Sequence, residues 1–379
     1  MIYLDNAATT FPKPPQVLRA ASGVMAKLGA NPGRSGHRMS LAAGRVVMRC
    51  REALAELLRV DDPERIVFCF NCTDALNLAI RGLPLAGGHV VVTALDHNAS
   101  LRPLCGMAAR GEIALDVLLP GPDGAVSRTQ VERALRPDTR LVALSHASNV
   151  TGALQPAAEI GALCREKGVC FLLDAAQTLG IAPVYPEALC ADLIAFPGHK
   201  GLLGPMGTGG LWIRPGLTLR PYREGGTGSR SDSPLQPDEL PDRYESGTLN
   251  LPGIAGLLEG VRFLQAHGDE IRLKEEALTK KLRNSLSQLN GVTLYGPTDN
   301  TVGIVSFNVD GLRSGETADA LNRAGVGMRA GLHCAPLMHR ALGTLETGVV
   351  RASPGFFNTE AEIERTAGFV ETLAKASRA

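Results

Sequence analysis

"GVCFLLDAAQ", residues 168–177, sets five apolar side chains (Val169–Leu173) directly before an aspartate, with a glutamine three positions further on. An unbroken apolar run of that length, without alternation, reads as a strand covered on both faces. Six other runs have the same character: "RIVFCF" (65–70), "HVVVTAL" (89–95), "ALDVLL" (114–119), "TRLVALSH" (139–146), "ADLIAFPG" (191–198) and "GGLWIR" (209–214). Between several of them lie helical patterns, "TDALNLAIRGL", "SRTQVERALR" and "AAEIGALCREKG". Strand alternating with helix predicts an α/β fold with a mainly parallel sheet flanked by helices. A helix over roughly 40–59, with Ser40 as its N-cap, precedes the sheet.

Ligands of parallel α/β sheets sit outside the carboxyl ends of the strands, so the residues that end each strand are a test for a site. The first run leads to Asn71, Cys72, Thr73 and Asp74, the second to Asp96, His97 and Asn98, and "LVALSH" to Asn149. "VCFLL" leads to Asp174 and Gln177, and "LIAF" to Gly198, His199 and Lys200. Taken singly each has a plain explanation: Thr73 and Asp74 as helix caps, His97 as a loop histidine, Asn149 as a turn former, Lys200 as a surface lysine. Five strands delivering such groups to one edge point instead to a ligand. A threonine at a helix N-terminus suits a phosphate. A strand-end aspartate can hold a pyridinium nitrogen protonated, a flat histidine can stack on a ring, and a lysine can form a Schiff base. That combination describes pyridoxal 5'-phosphate. A nucleotide fits less well, because neither G-x-G-x-x-G after the first strand nor G-x-x-x-x-G-K-[ST] is present.

The 379 residues suffice for two or three domains, and 39 basic against 38 acidic residues leave a net charge of +1. That balance, without runs of like charge, speaks against a nucleic acid or a membrane surface as partner and for a small-molecule substrate. The start, "MIYLDNAATTF", lacks a secretory signal, and no apolar run approaches the ~18 residues of a membrane span. A cytoplasmic location is expected. The eight cysteines are scattered through apolar segments and read as free thiols, and the lone Cys69-x-x-Cys72 pair reads as packing with no metal site.

Residues 215–250, rich in Gly, Pro, Ser and Asp, form a long structured loop or lid. Two helices (253–267 and 269–289), strands at "GVTLYG" and "TVGIVSFNV", a helix near 316–324, strand-like "GVGMRAG" and "VVRASPG", and a last helix from 359 make a second, α+β domain. The expected division is an N-terminal segment 1–14 joining the small domain, a large domain 15–255, and a small C-terminal domain 256–379.

Nine motifs in order, "YLDNAATT" (3–10), "CTDALN" (72–77), "DHNA" (96–99), "SNVTG" (148–152), "DAAQ" (174–177), "GHKGLLGP" (198–205), "ESGTLN" (245–250), "RAGLHCA" (329–335) and "VRAS" (350–353), span nearly the whole chain. In these the chain resembles the class V aminotransferase family of fold type I pyridoxal-phosphate enzymes, in particular cysteine desulfurases and selenocysteine lyases. The resemblance implies the fold type I architecture and a homodimer. By position it implies that Lys200 is the Schiff-base lysine and the proton carrier at the substrate Cα. It implies that Asp174 pairs with the ring nitrogen, Gln177 bonds the ring oxygen and His97 stacks on the ring. Thr73 and His199 would hold the phosphate, together with Thr248 from a second subunit. Asn149 and Arg351 would bind the substrate carboxylate, and Cys334 would carry the persulfide. The substrate implied is L-cysteine or L-selenocysteine, with sulfur passed to an acceptor protein, as in iron–sulfur cluster assembly.

Two positions depart from the family pattern. Pro197 stands where relatives usually carry a Ser or Thr that donates to the phosphate, and proline has neither hydroxyl nor N–H. Leu332 stands where a second histidine is common, leaving His333 alone beside Cys334. As for Cys334 itself, a metal reading with His333 and His339 lacks a fourth ligand, and an inert buried thiol is the usual default. Its Gly-rich, Pro-bounded loop with His333 and Arg329 at hand favours a thiolate nucleophile. The alternatives are another enzyme of the family (a transaminase, racemase or lyase) in which Cys334 is incidental, and a non-catalytic scaffold.

Overall fold

The computed structural model describes residues 1–33 and 36–378. Its strands are β1 (Ile2–Tyr3), β2 (Ile66–Cys69), β3 (His89–Thr93), β4 (Ala114–Leu118), β5 (Thr139–Ser145), β6 (Cys170–Asp174), β7 (Leu193–Pro197) and β8 (Gly209–Ile213) in the first two thirds. Then come β9 (Val292–Tyr295), β10 (Val305–Val309), β11 (Val326–Gly327), β12 (Arg329–Gly331) and β13 (Val349–Ala352). The helices are α1 (Pro15–Lys27), α2 (Arg38–Leu58), α3 (Cys72–Gly82), α4 (Asn98–Ala109), α5 (Arg128–Ala134) and α6 (Ala157–Lys167). They continue with α7 (Leu251–Ser287), α8 (Ser314–Arg323), α9 (Pro336–Ala341) and α10 (Glu360–Ala376).

All seven apolar runs become strands of one sheet, in the order β2-β8-β7-β6-β5-β3-β4. Only β8 runs against the rest, pairing antiparallel with β2 and β7. Alternate residues of each strand feed two separate cores: Phe171, Leu173, Ile194 and Phe196 pack on one face, and Leu172, Leu193 and Ala195 on the other. This two-sided burial explains why the runs carry no polar alternation. The carboxyl ends of β2, β3, β5, β6 and β7 therefore open along one edge, and β8 begins there.

The last third builds an antiparallel four-stranded sheet, β12-β13-β10-β9, over a third core that also takes in Leu278, Leu282 and Leu286 of α7. The N-terminal β1 pairs with β11. Residues 215–250 form neither helix nor strand.

Four local expectations need correction. The helix expected from 40 begins at Arg38, and its N-cap is His37, whose ring accepts from the Ser40 N–H. Ser40 instead donates its hydroxyl to the Asn31 carbonyl. The two helices expected on either side of Gly268 are one 37-residue helix, α7, running through the 255/256 boundary. A single glycine costs a helix only about 1 kcal/mol, less than the packing of this helix returns. α1 is a further helix beyond the sequence expectation, with only Val17 of its 13 residues buried. Nor was α4, which tolerates Pro103 in its interior.

Candidate active site

The five strand ends meet around a cavity of about 210 Å³. β2 and the start of α3 contribute Cys72 and Thr73, β3 and the start of α4 His97, β5 Ser145 and Asn149, β6 Asp174 and Gln177, and β7 Pro197, His199 and Lys200. Seven of the ten residues singled out in the sequence thus line one space, brought from positions up to 127 apart by the pairing of strands in one sheet.

The charges and protons of these groups are set by burial. Lys200 has its affinity for a proton lowered, by burial first and by the Arg351 guanidinium second, while Asp174 opposes the shift. A lysine so placed is closer to the neutral amine that attacks a carbonyl. Asp174 is buried, accepts from the Ala176 N–H at 2.9 Å, and receives the Cys72 thiol at 3.5 Å. His97 caps α4, its Nδ1 accepting from the Ala99 N–H at 3.1 Å, so Nε2 carries the proton of the neutral ring. Burial holds the His97 pKa below its ordinary value. The pKa of His199 is pushed down to about 4, by burial first and then by Lys200 and Lys13, and its Nδ1 is buried without a partner. An unpartnered buried ring nitrogen facing a cavity asks for a ligand atom.

The Lys200 loop is gripped from outside by the N-terminal segment. The His199 carbonyl accepts from the Thr10 N–H (3.1 Å), the Thr9 hydroxyl (3.1 Å) and the Lys13 ammonium (2.8 Å). Gln177 donates to the Ala7 carbonyl at 3.2 Å. Gly198 is required by space: a Cβ there would stand 2.1 Å from the Thr208 hydroxyl. That hydroxyl is already given to the Pro205 carbonyl at 2.6 Å. It is therefore not free to replace the donor missing at Pro197.

Three residues singled out in the sequence stand apart from the cavity. Thr248 lies in a separate groove with Phe70, Thr208 and Asn250, and receives a hydrogen bond from Asn31 at 3.4 Å. Arg351 is 1% exposed, donating to the Asn149 carbonyl at 2.8 Å and to the Asp5 carboxylate at 2.9 Å. Cys334 is exposed, and its carbonyl accepts at 2.8 Å from the N–H of Asn98, the neighbour of the cavity-lining His97.

The Cys334 loop is shaped by strain. His333 (φ 50°) and Cys334 (φ 58°) are successive non-glycine residues in the left-handed region, at a cost of order 1–2 kcal/mol each. Asn149 offsets part of it by donating to the His333 carbonyl at 2.6 Å. His333 itself is buried, and burial together with the Arg351 and Arg329 charges pushes its pKa to about 3. It stays neutral and stacks on His339 at 5.8 Å. The expected role for its charge beside the thiol is therefore corrected; the cation at the sulfur is Arg329, 3.8 Å from Sγ.

Two strand-end residues without an expected role in the site also shape it. Asp96, fully buried, accepts from the N–H and hydroxyl of both Thr93 and Ser145, tying the ends of β3 and β5 together. Its place at a strand end was a usable signal. Cys72 was read as packing, and only the approach of β6 shows its contact with Asp174.

The aminotransferase class-V family matches residues 2–366 of the chain. A probable cysteine desulfurase of Methanothermobacter thermautotrophicus is 34% identical over 98% of this chain and 94% of its own. One of Pyrococcus abyssi is 34% identical over 100% of this chain and 95% of its own. The apo structure of the cysteine desulfurase from Thermococcus onnurineus superposes with a TM-score of 0.93 at 33% identity, covering 99% of this chain and 95% of that one. The cysteine desulfurase CsdA of Escherichia coli, in its S-sulfonic acid form, does so with a TM-score of 0.89 at 25% identity over 99% and 94%. With the family matched over nearly its full length, and relatives of that name matched end to end, this chain belongs to the class-V aminotransferases and is similar among them to the cysteine desulfurases.

Proposed function

We propose that this protein is a pyridoxal-phosphate-dependent cysteine desulfurase, which takes sulfur from L-cysteine, releases L-alanine and holds the sulfur as a persulfide on Cys334. The observation that carries the reading is Lys200, half-buried and with lowered proton affinity, sharing one cavity with the Asp174 carboxylate and the His97 ring, while the exposed Cys334 is tied through its carbonyl to Asn98, next to His97. The residues fit the cofactor. Asp174 would face the ring nitrogen, His97 would stack on the ring, and Gln177 would reach the ring oxygen. Thr73 at the start of α3, with the unpartnered His199 Nδ1, would hold the phosphate. When bound, the cofactor supplies an aldehyde for amine capture and an electron sink for bond cleavage at the substrate Cα.

The chain's own residues then act in sequence. Asn149 and Arg351 would orient the substrate carboxylate, and Lys200 would take the Cα proton. The Cys334 thiolate, beside the Arg329 guanidinium, would attack the substrate sulfur; an S–S bond forms as the Cβ–S bond breaks, Cβ takes a proton to become the methyl of alanine, and Lys200 returns to Cα the proton it took. The persulfide is available to a sulfur-acceptor protein because Cys334 is exposed.

The separation of Thr248 from its own cavity supports a homodimer in which it completes a neighbouring site. Among the described residues no helix is long and apolar enough to cross a membrane. The free thiols fit a cytoplasmic setting.

The test is alkylation and mass mapping after one turnover with L-cysteine, alongside alanine and sulfide release under a reductant. Cys334→Ala should bind L-cysteine, carry no added sulfur and lose most turnover. Sulfur found on Cys72 or Cys105, with the Ala variant fully active, removes the proposal.

A further inference from the structure

The guanidinium assigned to the substrate carboxylate already holds a carboxylate. Arg351, on β13, is 1% exposed, donates from Nη2 to Asp5 Oδ1 at 2.9 Å and from Nη1 to the Asn149 carbonyl at 2.8 Å. Its Nε is buried without a partner. Asn149 lines the cavity, but Arg351 does not. Asp5 is delivered by the N-terminal segment: it bridges to Ser353 two residues beyond Arg351, and the adjacent Asn6 N–H donates to the Ser353 carbonyl at 3.3 Å. Its carboxylate is 22% exposed, so it has solvent to move into.

A buried guanidinium needs a counter-charge at all times, and its planar fork takes a carboxylate best. With Nη2 on Asp5 and Nη1 on the Asn149 carbonyl, both ends of the fork are taken. We infer that Asp5 is a place-holder for the substrate: it occupies Arg351 in the resting enzyme and gives up that position when the amino-acid carboxylate arrives. Asp5 is thereby a positioning residue that sets affinity for carboxylate-bearing amines, since each substrate must displace it. The same segment grips the Lys200 loop through Thr9, Thr10 and Lys13. Displacement of Asp5 therefore acts on the stretch of chain that supports the base. The inference rests on the reading of Arg351 as the carboxylate ligand.

The experiment measures binding of L-alanine, and of ethylamine as its carboxylate-free counterpart, to the pyridoxal-phosphate-loaded enzyme by calorimetry. Asp5→Asn removes the competing charge and should bind L-alanine about tenfold tighter, with ethylamine unchanged within about twofold. Unchanged or weaker L-alanine binding in Asp5→Asn, while Arg351→Lys weakens it, overturns the place-holder and leaves the Arg351 reading intact. Arg351→Lys with parental L-alanine affinity overturns both. If Asp5→Asn does not fold, a crystal structure of the unsubstituted enzyme with L-alanine decides. The Asp5–Arg351 contact should be broken and the alanine carboxylate should stand on Arg351; the contact intact beside bound alanine overturns the inference.

Discussion

At the scale of single residues, what matters is which groups burial allows to carry charge. His333 adjoins Cys334 in sequence, yet burial and two nearby guanidiniums push its pKa to about 3. It therefore changes charge nowhere in the working range. His333→Gln should leave the shape of the pH–rate profile unchanged between about pH 6 and 9, whereas a limb attributable to an acid near neutrality would return the charge role to it. Pro197 is the other departure. It closes β7 beyond the segment Leu193–Ala195 that β6 pairs with, so the sheet loses nothing by its missing N–H. The cavity does lose a donor, and Thr208 is committed elsewhere. Pro197→Ser should tighten pyridoxal-phosphate binding by about 0.5–1.5 kcal/mol in a competition titration. Equal affinity would mean that the phosphate already has its full set of donors.

Between elements, the strongest single tie is the buried pair of Arg51 on α2 and Glu245, whose side chains are 3% and 4% exposed. Glu245 also accepts from the Phe68 N–H of β2, and the Arg51 guanidinium lies 4.5 Å from the centroid of the Phe68 ring. This pair joins the Arg223–Asp74 ion pair and the Arg220–Gly82 backbone hydrogen bond in anchoring the irregular segment that carries Thr248. Glu245→Ala leaves Arg51 as an unpaired buried charge and should cost about 3–5 kcal/mol in urea unfolding. The double change Arg51→Met, Glu245→Leu should recover most of that loss. A single substitution costing under about 1 kcal/mol would show the pair to be solvated in solution.

Over the whole molecule, buried histidines govern acid stability. His146, 5% exposed and bonded to the Thr178 hydroxyl at 3.0 Å, has its pKa pushed by burial from 6.5 down to about 4. The unfolded chain takes up that proton below about pH 6.5 and the folded chain refuses it until about pH 4. The contribution is thus intact above 6.5 and lost as pH falls. At pH 5 the loss is about 2 kcal/mol. Asp96 and Glu275, raised by burial to about 6 and about 7, act in the opposite sense, favouring the folded state as pH drops toward their unfolded values. The clean measure is a difference between proteins: the fall in thermal midpoint from pH 7 to pH 5 should be smaller in His146→Gln than in the parent. Parallel profiles would show His146 protonated in the folded protein.

The sequence by itself determined the sheet and the edge at which the site lies. Long apolar runs such as Val169–Leu173 are buried only as strands covered on both sides, and pairing in one sheet then brings their polar ends together, which is why Asp174, His97 and Lys200 are legible in the sequence. Not all helices are: α1 buries only Val17 fully, α4 contains Pro103, and α7 continues through Gly268 because its packing outweighs a local preference. Contacts between residues 102 to 346 positions apart exist only in the folded chain. No local pattern places Asp5 on Arg351, Cys72 on Asp174, or Glu245 on Arg51, because each pairing follows from which elements meet. Nor could adjacency in sequence reveal that His333 is kept neutral while Arg329, five residues before the thiol, faces it. Charge state depends on burial and on through-space neighbours, and those exist only once the chain has folded.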